Sequence, residues 1–534
     1  MSRIITRRTF VRGASLLAAA AQVGPWVSLA SAAEAESVIA DTAAGKLRGF
    51  RNGEIRTFKG IPYGESTAGK NRFMAPVKKA PWTGTRDALA FGPSSPQPDT
   101  PAGSPGNAED CLVLNVFTPG VGDGKKRPVM VWLHGGGFRN GSGSTPVLDG
   151  SSLAQSQDVV VVTLNHRLNV FGFTYLAQAI GADFAESGTV GMMDLVVALE
   201  WVRDNIGQFG GDPGLVTIFG QSGGGRKVAT LMAMPSAKGL FHRAIIESGA
   251  VLRLTTPEDG QRQTEMLLNE LGLKPTQARE LQSVPMERLV AASDAVNNKF
   301  VMREPGMTEN SPTVGNKVIP SHPWDPAAPA LSASIPLLIG YAHTEETWYD
   351  RPTPEKLALD EAGLKKRVAE RLGASPDRMI DAFRKGHPEA TPWDLWILIA
   401  SEHPRGAYAR ETAKRKAAQG GAPAYFYRFD WETPELGGHM RSPHTIEIQF
   451  VFNNIKIAGP LISKRPDAYA LAEKVSASWA AFARTGNPNI PQLPKWPVYS
   501  AAMRDTMLFD NDIRVAQDPD RGPRLAMDQH LKLS

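Results

Sequence analysis

The run Val216-Thr-Ile-Phe-Gly-Gln-Ser-Gly-Gly-Gly225 constrains the fold of this chain more than any other stretch. Val216 to Phe219 is β-branched and aromatic, so it reads as a buried strand. Arg226 to Met234 reads as a helix. Between them, Gly220 and Gly224 bracket Ser222, and a β-carbon at either glycine would run into the adjoining strand and helix. The turn therefore lifts the serine hydroxyl out of the backbone, beside a helix N-terminus that favours developing negative charge. A chain with 51 glycines also produces Gly-x-Ser-x-Gly by accident. What the serine does depends on the rest of the sequence.

With 534 residues, 42% hydrophobic and 21% charged, the chain is globular and long enough to bury a large core. Its formal charge is +5, but Arg3, Arg7, Arg8 and Arg12 supply four positive charges in the first 32 residues, which hold no acids. Without them the balance is +1, which gives no support for nucleic-acid or anionic-membrane binding. Thr6-Arg7-Arg8-Thr9-Phe10-Val11-Arg12 resembles a twin-arginine export motif. A moderately apolar stretch follows from Gly13 to Leu29, then Ala30-Ser31-Ala32 as a small-residue cleavage site. Gln22, Gly24 and Pro25 interrupt that stretch, which is too short for a comfortable membrane span. The expectation is a signal peptide over 1–32, a periplasmic or secreted mature protein without a membrane span, and one catalytic domain over 38–534. Cys111 is the only cysteine, so no intramolecular disulfide forms; in the apolar run Cys111-Leu-Val-Leu-Asn-Val116 it reads as buried and inert.

From Val38 onward strands alternate with helices. Pro128 to Leu133 and Val159 to Leu164 are continuous apolar runs of the kind found in parallel strands covered on both faces. Val190 to Ile206 has helical spacing with Trp201 on its apolar side. Further strands are expected at Arg243 to Glu247, Ile335 to Gly340 and Ala424 to Phe429, with helical insertions over Gln261 to Asn298 and Glu355 to Lys385. No internal repeat or long linker divides the chain. The fold class is α/β, one doubly wound and mostly parallel sheet flanked by helices with large helical insertions.

A serine hydroxyl attacks near neutral pH only with a base to take its proton, an acid to orient that base, and donors for the oxyanion. In its strand–turn–helix setting, the Ser222 pentapeptide matches the nucleophile elbow of α/β-hydrolases. His134-Gly-Gly-Gly-Phe138 follows the strand ending at Leu133, where successive glycines let backbone N–H groups converge on a bound oxyanion. Gly136, Gly137 and Gly223 are the expected donors. In this fold class the order along the chain is serine, acid, histidine. His444, between a late strand and an apolar segment, is the leading base, and His439 competes on spacing alone. Glu345 lies shortly after the strand ending at Gly340, at the carboxyl edge of the sheet, while Glu346 and Asp350 stand close enough to compete. The pocket walls are expected near the Pro93–Pro105 loop, the helical insertions, Phe138, Trp348 and Trp393. No metal-ligand pattern is visible, and neither metal nor cofactor is expected.

The body from about Val38 to Trp496 resembles the type-B carboxylesterases, the family that also contains cholinesterases. The landmarks are Phe58-Lys-Gly-Ile-Pro-Tyr63, Glu109-Asp-Cys-Leu-Val-Leu-Asn115, the His134–Phe138 loop, Asn165-His-Arg167, Gly191-Met-Met-Asp194 and Phe209-Gly-Gly-Asp-Pro213, together with the elbow. The resemblance implies an α/β-hydrolase fold and a Ser222–Glu345–His444 triad, Glu345 by its distance from Gly340 and His444 by the segment His444-Thr-Ile-Glu-Ile-Gln-Phe-Val-Phe452. It further implies an ion pair between Arg167 and Asp194, and a hydrogen-bonding role for Ser248 near the acid. Three departures stand out. Cys111 has no earlier cysteine to pair with, so packing must hold its loop; Gln221 stands where glutamate is usual; and Gly223 stands where alanine is usual, making the elbow less hindered. The expected activity is hydrolysis of small to medium, uncharged carboxylic esters through an acyl-enzyme. Amides, carbamates and lactones fall within reach of the same triad, and a non-catalytic binding module of this fold is the third alternative. Oligomeric state is not legible.

Overall fold

The computed structural model describes residues 36–300, 310–462 and 464–533, so the expected signal peptide at 1–32 lies outside the described residues. One sheet of 13 strands organises the chain. Its N-terminal flank is antiparallel: β1 (Ser37–Thr42), β2 (Gly45–Asn52) and β3 (Ile55–Pro62), with the short β4 (Thr85–Asp87) beside β2. Then come β5 (Val113–Thr118), β6 (Arg127–Leu133), β7 (Val160–Leu164), β8 (Gly211–Gln221), β9 (Arg243–Glu247), β10 (Leu337–Ala342), β11 (Ala424–Phe429), β12 (Asp505–Phe509) and β13 (Arg514–Gln517). In space the order is β1-β2-β3-β5-β7-β6-β8-β9-β10-β11-β12-β13. From β7 to β12 every neighbour pairs in parallel. β5 enters and β13 leaves this centre antiparallel.

The central strands are buried on both sides, and their residues alternate between two cores as strand geometry requires. Val129, Val131 and Leu133 of β6 face one core, while Met130 and Trp132 face the other. On β8, Val216 and Ile218 point to the first and Phe219 to the second. The helices Val190–Asn205 and Pro392–Ser401 cover the first core, and Ser151–Gln157 and Pro466–Thr485 cover the second. The helical insertions form Pro257–Leu271, Met286–Asn297, Glu361–Leu372 and Asp377–Gly386.

Two expected supports take definite form. Arg167 and Asp194 make a buried, forked pair at 2.6–3.2 Å, and Arg167 also donates to the Met74 carbonyl at 2.7 Å. The unpaired Cys111 is fully buried. Its loop is held by more than packing: Arg72 pairs with Glu109 and donates to the carbonyls of Leu281 and Val284 in the helical insertion, at 2.8 and 2.6 Å.

Candidate active site

Four loops at the carboxyl ends of strands meet above the middle of the sheet, where open α/β sheets place their ligands. The glycine loop follows β6 and the serine follows β8, and these two strands are neighbours. Glu345 follows β10 and His444 follows β11, again a neighbouring pair.

Ser222 has φ 58° and ψ −122°, a backbone region that costs a non-glycine residue about 1–3 kcal/mol. The surroundings hold it there. Its N–H donates to the Glu247 carbonyl at 2.8 Å, and its own carbonyl accepts from Arg226 at 3.0 Å. A β-carbon at Gly224 would overlap the Leu133 carbonyl oxygen, so strand and helix close only around a glycine. The helix starts at Gly223, earlier than its apolar pattern indicated, and Ser222 is its N-cap.

The glycine loop lies against this turn. Gly136 and Gly137 have φ of 87° and 65°, values that favour glycine. A β-carbon at Gly223 would overlap the backbone N and O of Gly137. The space freed at Gly223 is therefore taken by the glycine loop, and the expectation of a less hindered elbow is corrected: the missing methyl makes room for backbone.

His444 is almost wholly buried, and its Nδ1 contacts Oε2 of the fully buried Glu345. Oε1 of Glu345 accepts from the Ala342 N–H at 3.0 Å. Glu346 instead faces Arg371 at 3.4 Å and Arg405 at 3.9 Å. Asp350 pairs with Lys356 and Arg367 at 2.5 and 2.6 Å. His439 is exposed at the end of the turn Glu435–Gly438. The competing acids are thus paired elsewhere, and the competing histidine lies at the surface.

Nε2 of Gln221 lies 3.2 Å from His444 Nδ1 and 3.3 Å from His444 Nε2. An atom equidistant from both ring nitrogens cannot lie in the ring plane without striking Cε1. The amide therefore rests on the imidazole face, and the in-plane lone pair of Nε2 stays free of it. Tyr349 flanks the ring, with centroids 5.4 Å apart.

Burial pushes the His444 imidazole below its ordinary 6.5, against the raising effect of Glu345, with Arg405 and Arg226 adding to the fall. Burial opposes ionisation of Glu345, but the charge and hydrogen bond of His444 outweigh it and hold the carboxyl below its ordinary 4.5. At neutral pH the pair is a neutral imidazole beside a carboxylate, the state a general base requires.

Behind the site lie two acids, Glu247 and Glu447, to which the sequence attaches no role. Glu247 Oε1 accepts from Trp479 Nε1 at 2.7 Å, Glu447 Oε1 accepts from Ser248 Oγ at 2.8 Å, and the second oxygen of each carboxyl is buried without a partner among the described residues. Burial pushes Glu247 up to about 8, and burial with two neighbouring glutamates pushes Glu447 well above its ordinary value. Ser248 thus bonds Glu447, while also lowering the pKa of Glu345. Of the expected wall residues, Phe138 and Trp393 are buried, the former edge-on to Phe173, and Trp348 is exposed.

The sheet order, the strained serine between strand and helix, and the buried acid–histidine pair define an α/β-hydrolase built as a serine esterase. The sequence profile of the Carboxylesterase family matches residues 36–382 and 399–526. Para-nitrobenzyl esterase of Bacillus subtilis is 35% identical over 498 residues, covering 91% of this chain and 97% of the relative. Phenmedipham hydrolase of Pseudarthrobacter oxydans is 34% identical over 495 residues, covering 90% and 97%. Among solved structures, carboxylesterase EST55 of Geobacillus stearothermophilus superposes with a TM-score of 0.82 at 37% identity, covering 92% of this chain and 99% of that one. The chain belongs to the type-B carboxylesterase family, and it is a serine hydrolase acting on carboxylic ester bonds.

Proposed function

We propose that Ser222, His444 and Glu345 carry the ester hydrolysis. His444 takes the Ser222 proton through Nε2 as the oxygen attacks the ester carbonyl. Glu345 fixes the tautomer through Nδ1 and stabilises the imidazolium. The N–H groups of Gly136, Gly137 and Gly223 receive the oxyanion. The protonated histidine returns its proton to the departing alcohol, and water then attacks the acyl-enzyme with the same base. The buried contact between His444 and Glu345 beside a serine held at φ 58° carries this reading. Ser222→Ala is expected to lower kcat on a p-nitrophenyl ester by about 10^4-fold or more. Full residual turnover in that variant would remove Ser222 from the mechanism.

For substrate, the reading is small to medium, uncharged esters. Gln221 places a neutral amide on His444, and Arg226 and Arg405 both act on that ring as cations, which disfavours cationic ligands. The relatives named for para-nitrobenzyl esters and for phenmedipham supply two compounds to assay beside p-nitrophenyl esters of graded chain length. Faster turnover of a choline ester than of its uncharged carbon isostere would sink the charge argument.

The Arg7-Arg8 motif and the small residues before Ala32 support export to the periplasm or medium, and the family match begins only at residue 36. No helix among the described residues is long and apolar enough to cross a membrane. N-terminal sequencing of protein recovered from the periplasm tests this: an intact Met1 overturns it.

A further inference from the structure

The helix that starts at the serine carries a lysine on its buried face. Lys227 is fully buried, five residues beyond Ser222 in the helix Gly223–Leu231. Helical side chains lean toward the N-terminus of their helix, so this one runs back toward the glycine loop. Its Nζ donates to the His134 carbonyl at 2.9 Å and stands 5.7 Å from the centre of the Phe138 ring. These two residues bracket Gly135, Gly136 and Gly137.

An ammonium buried this deeply is normally paired with a carboxylate. Here the charged and titratable neighbours are basic. Burial, and then Arg226 beside it on the helix, push Lys227 down to about 7. His134 on the glycine loop and His166 after β7 are both held neutral, by burial first and by Lys227 next. Their rings stack 5.2 Å apart; each Nδ1 is engaged with a neighbouring carbonyl, and each Nε2 is buried without a partner among the described residues. Arg167, next to His166, is committed to Asp194. A cation at the N-terminal end of a helix also opposes the helix dipole. This arrangement costs the resting enzyme stability, and a negative charge arriving at the same place offsets the cost. The oxyanion formed at Ser222 is such a charge.

We propose that Lys227 is a positioning residue for the ester hydrolysis, which pins the His134 carbonyl, fixes the loop presenting Gly136 and Gly137, and adds positive potential behind the oxyanion. The proposal rests on the assignment of Ser222 and the glycine loop made above. Because the charge it answers exists only in the transition state and the tetrahedral intermediate, Lys227 acts on kcat and leaves substrate binding alone.

The test is steady-state hydrolysis of a p-nitrophenyl ester by the wild type, Lys227→Met and Lys227→Arg. Inhibition by a trifluoromethyl ketone, whose serine adduct places an oxyanion in the hole, is measured alongside. Measured below the Lys227 pKa, Lys227→Met is expected to lower kcat at least about ten-fold with KM within about two-fold, and to weaken the ketone by the factor lost from kcat/KM. Lys227→Arg, which keeps the charge, is expected to recover part of both. Protonated Lys227 is the active form, so wild-type kcat/KM should decline as pH rises through its pKa, and the Met variant should lack that decline. Wild-type kcat and ketone affinity in Lys227→Met overturn the proposal, as does a loss confined to KM or to thermal stability. If the Met variant does not fold, Lys227→Gln, which keeps a donor for the His134 carbonyl without the charge, is judged by the same two ratios. An inactive wild type or an active Ser222→Ala overturns the catalytic assignment itself; an active wild type matched by Lys227→Met overturns this proposal alone.

Discussion

Gln221 meets His444 on the ring face and carries no charge, so the imidazole answers mainly to its burial and to Glu345. As the proposed base, His444 works only when neutral. With its pKa below 6.5, kcat/KM should rise with pH along an acid limb centred below that value. A carboxylate in the same position would favour the imidazolium. Gln221→Glu is therefore expected to move the limb to higher pH while changing the rate little on the alkaline side. A pH–rate profile from about pH 5 to 8 checks this, and an unmoved limb would mean that the side chain at 221 does not reach the ring. The identity of Gln221, and its place beside the base, were legible as a departure from the family, but its seat on the ring face was not. Which way a residue at a strand end points depends on the turn that follows. Lys227 shows the same limit: nothing in Arg226-Lys-Val-Ala-Thr-Leu231 sets it apart from a surface lysine, and only the packed loop shows that its side of the helix is inside.

Among the elements, the interiors of strands were readable, and their ends only where the apolar run had clear edges. Arg243–Glu247 and Ala424–Phe429 agree with the expected bounds, because both are short apolar runs with clear edges. β8 runs from Gly211 to Gln221, beyond the expected Val216–Phe219, since its first residues join β6 across a shift in register. The helix after it begins among three glycines, which have poor helix propensity; the turn and the strand above impose it. Packing of this strand–turn–helix unit on the glycine loop makes a prediction. In Gly223→Ala the new methyl would overlap Gly137, so one expected oxyanion donor must shift. The loss of one such donor costs about 10^2–10^3 in kcat; a partial shift should give at least a ten-fold fall with KM nearly unchanged. Turnover kinetics decide it, and a wild-type kcat would show that the loop yields without cost.

At the scale of the whole molecule, chain order and strand edges were enough to bring serine, acid and histidine to one end of the sheet. What they left out is the layer beneath. Glu247 ends β9 and reaches Trp479 on the helix Pro466–Thr485; Glu447 reaches Ser248; the Tyr427 hydroxyl beside them is buried without a partner among the described residues. Both acids fall in stretches that the sequence marks, Glu247 beside Ser248 and Glu447 in the segment from His444 to Phe452, but their burial is not marked, because acids at the end of a strand or in a loop are usually solvated and become internal only when a helix closes over them. Their protonation couples stability to pH. Glu247 has an ordinary pKa of 4.5 and a folded value of about 8. The folded chain therefore binds more protons than the unfolded chain between those two values. The stabilisation from that bound proton is fully present below 4.5 and is lost as pH rises toward 8, at up to about 1.4 kcal/mol per pH unit. Glu447 is raised as well, partly by Glu247, while Glu345 stays ionised against His444. Glu247→Gln keeps the shape and an acceptor for Trp479 but cannot ionise. Urea unfolding midpoints measured across this range should fall less steeply with pH in the variant than in the wild type, with the variant more stable at the alkaline end. Because Glu447 loses a charged neighbour, its own contribution should also shrink, and the slope should drop by more than one residue's share. Parallel pH profiles for variant and wild type would show instead that Glu247 is ionised and hydrated at neutral pH.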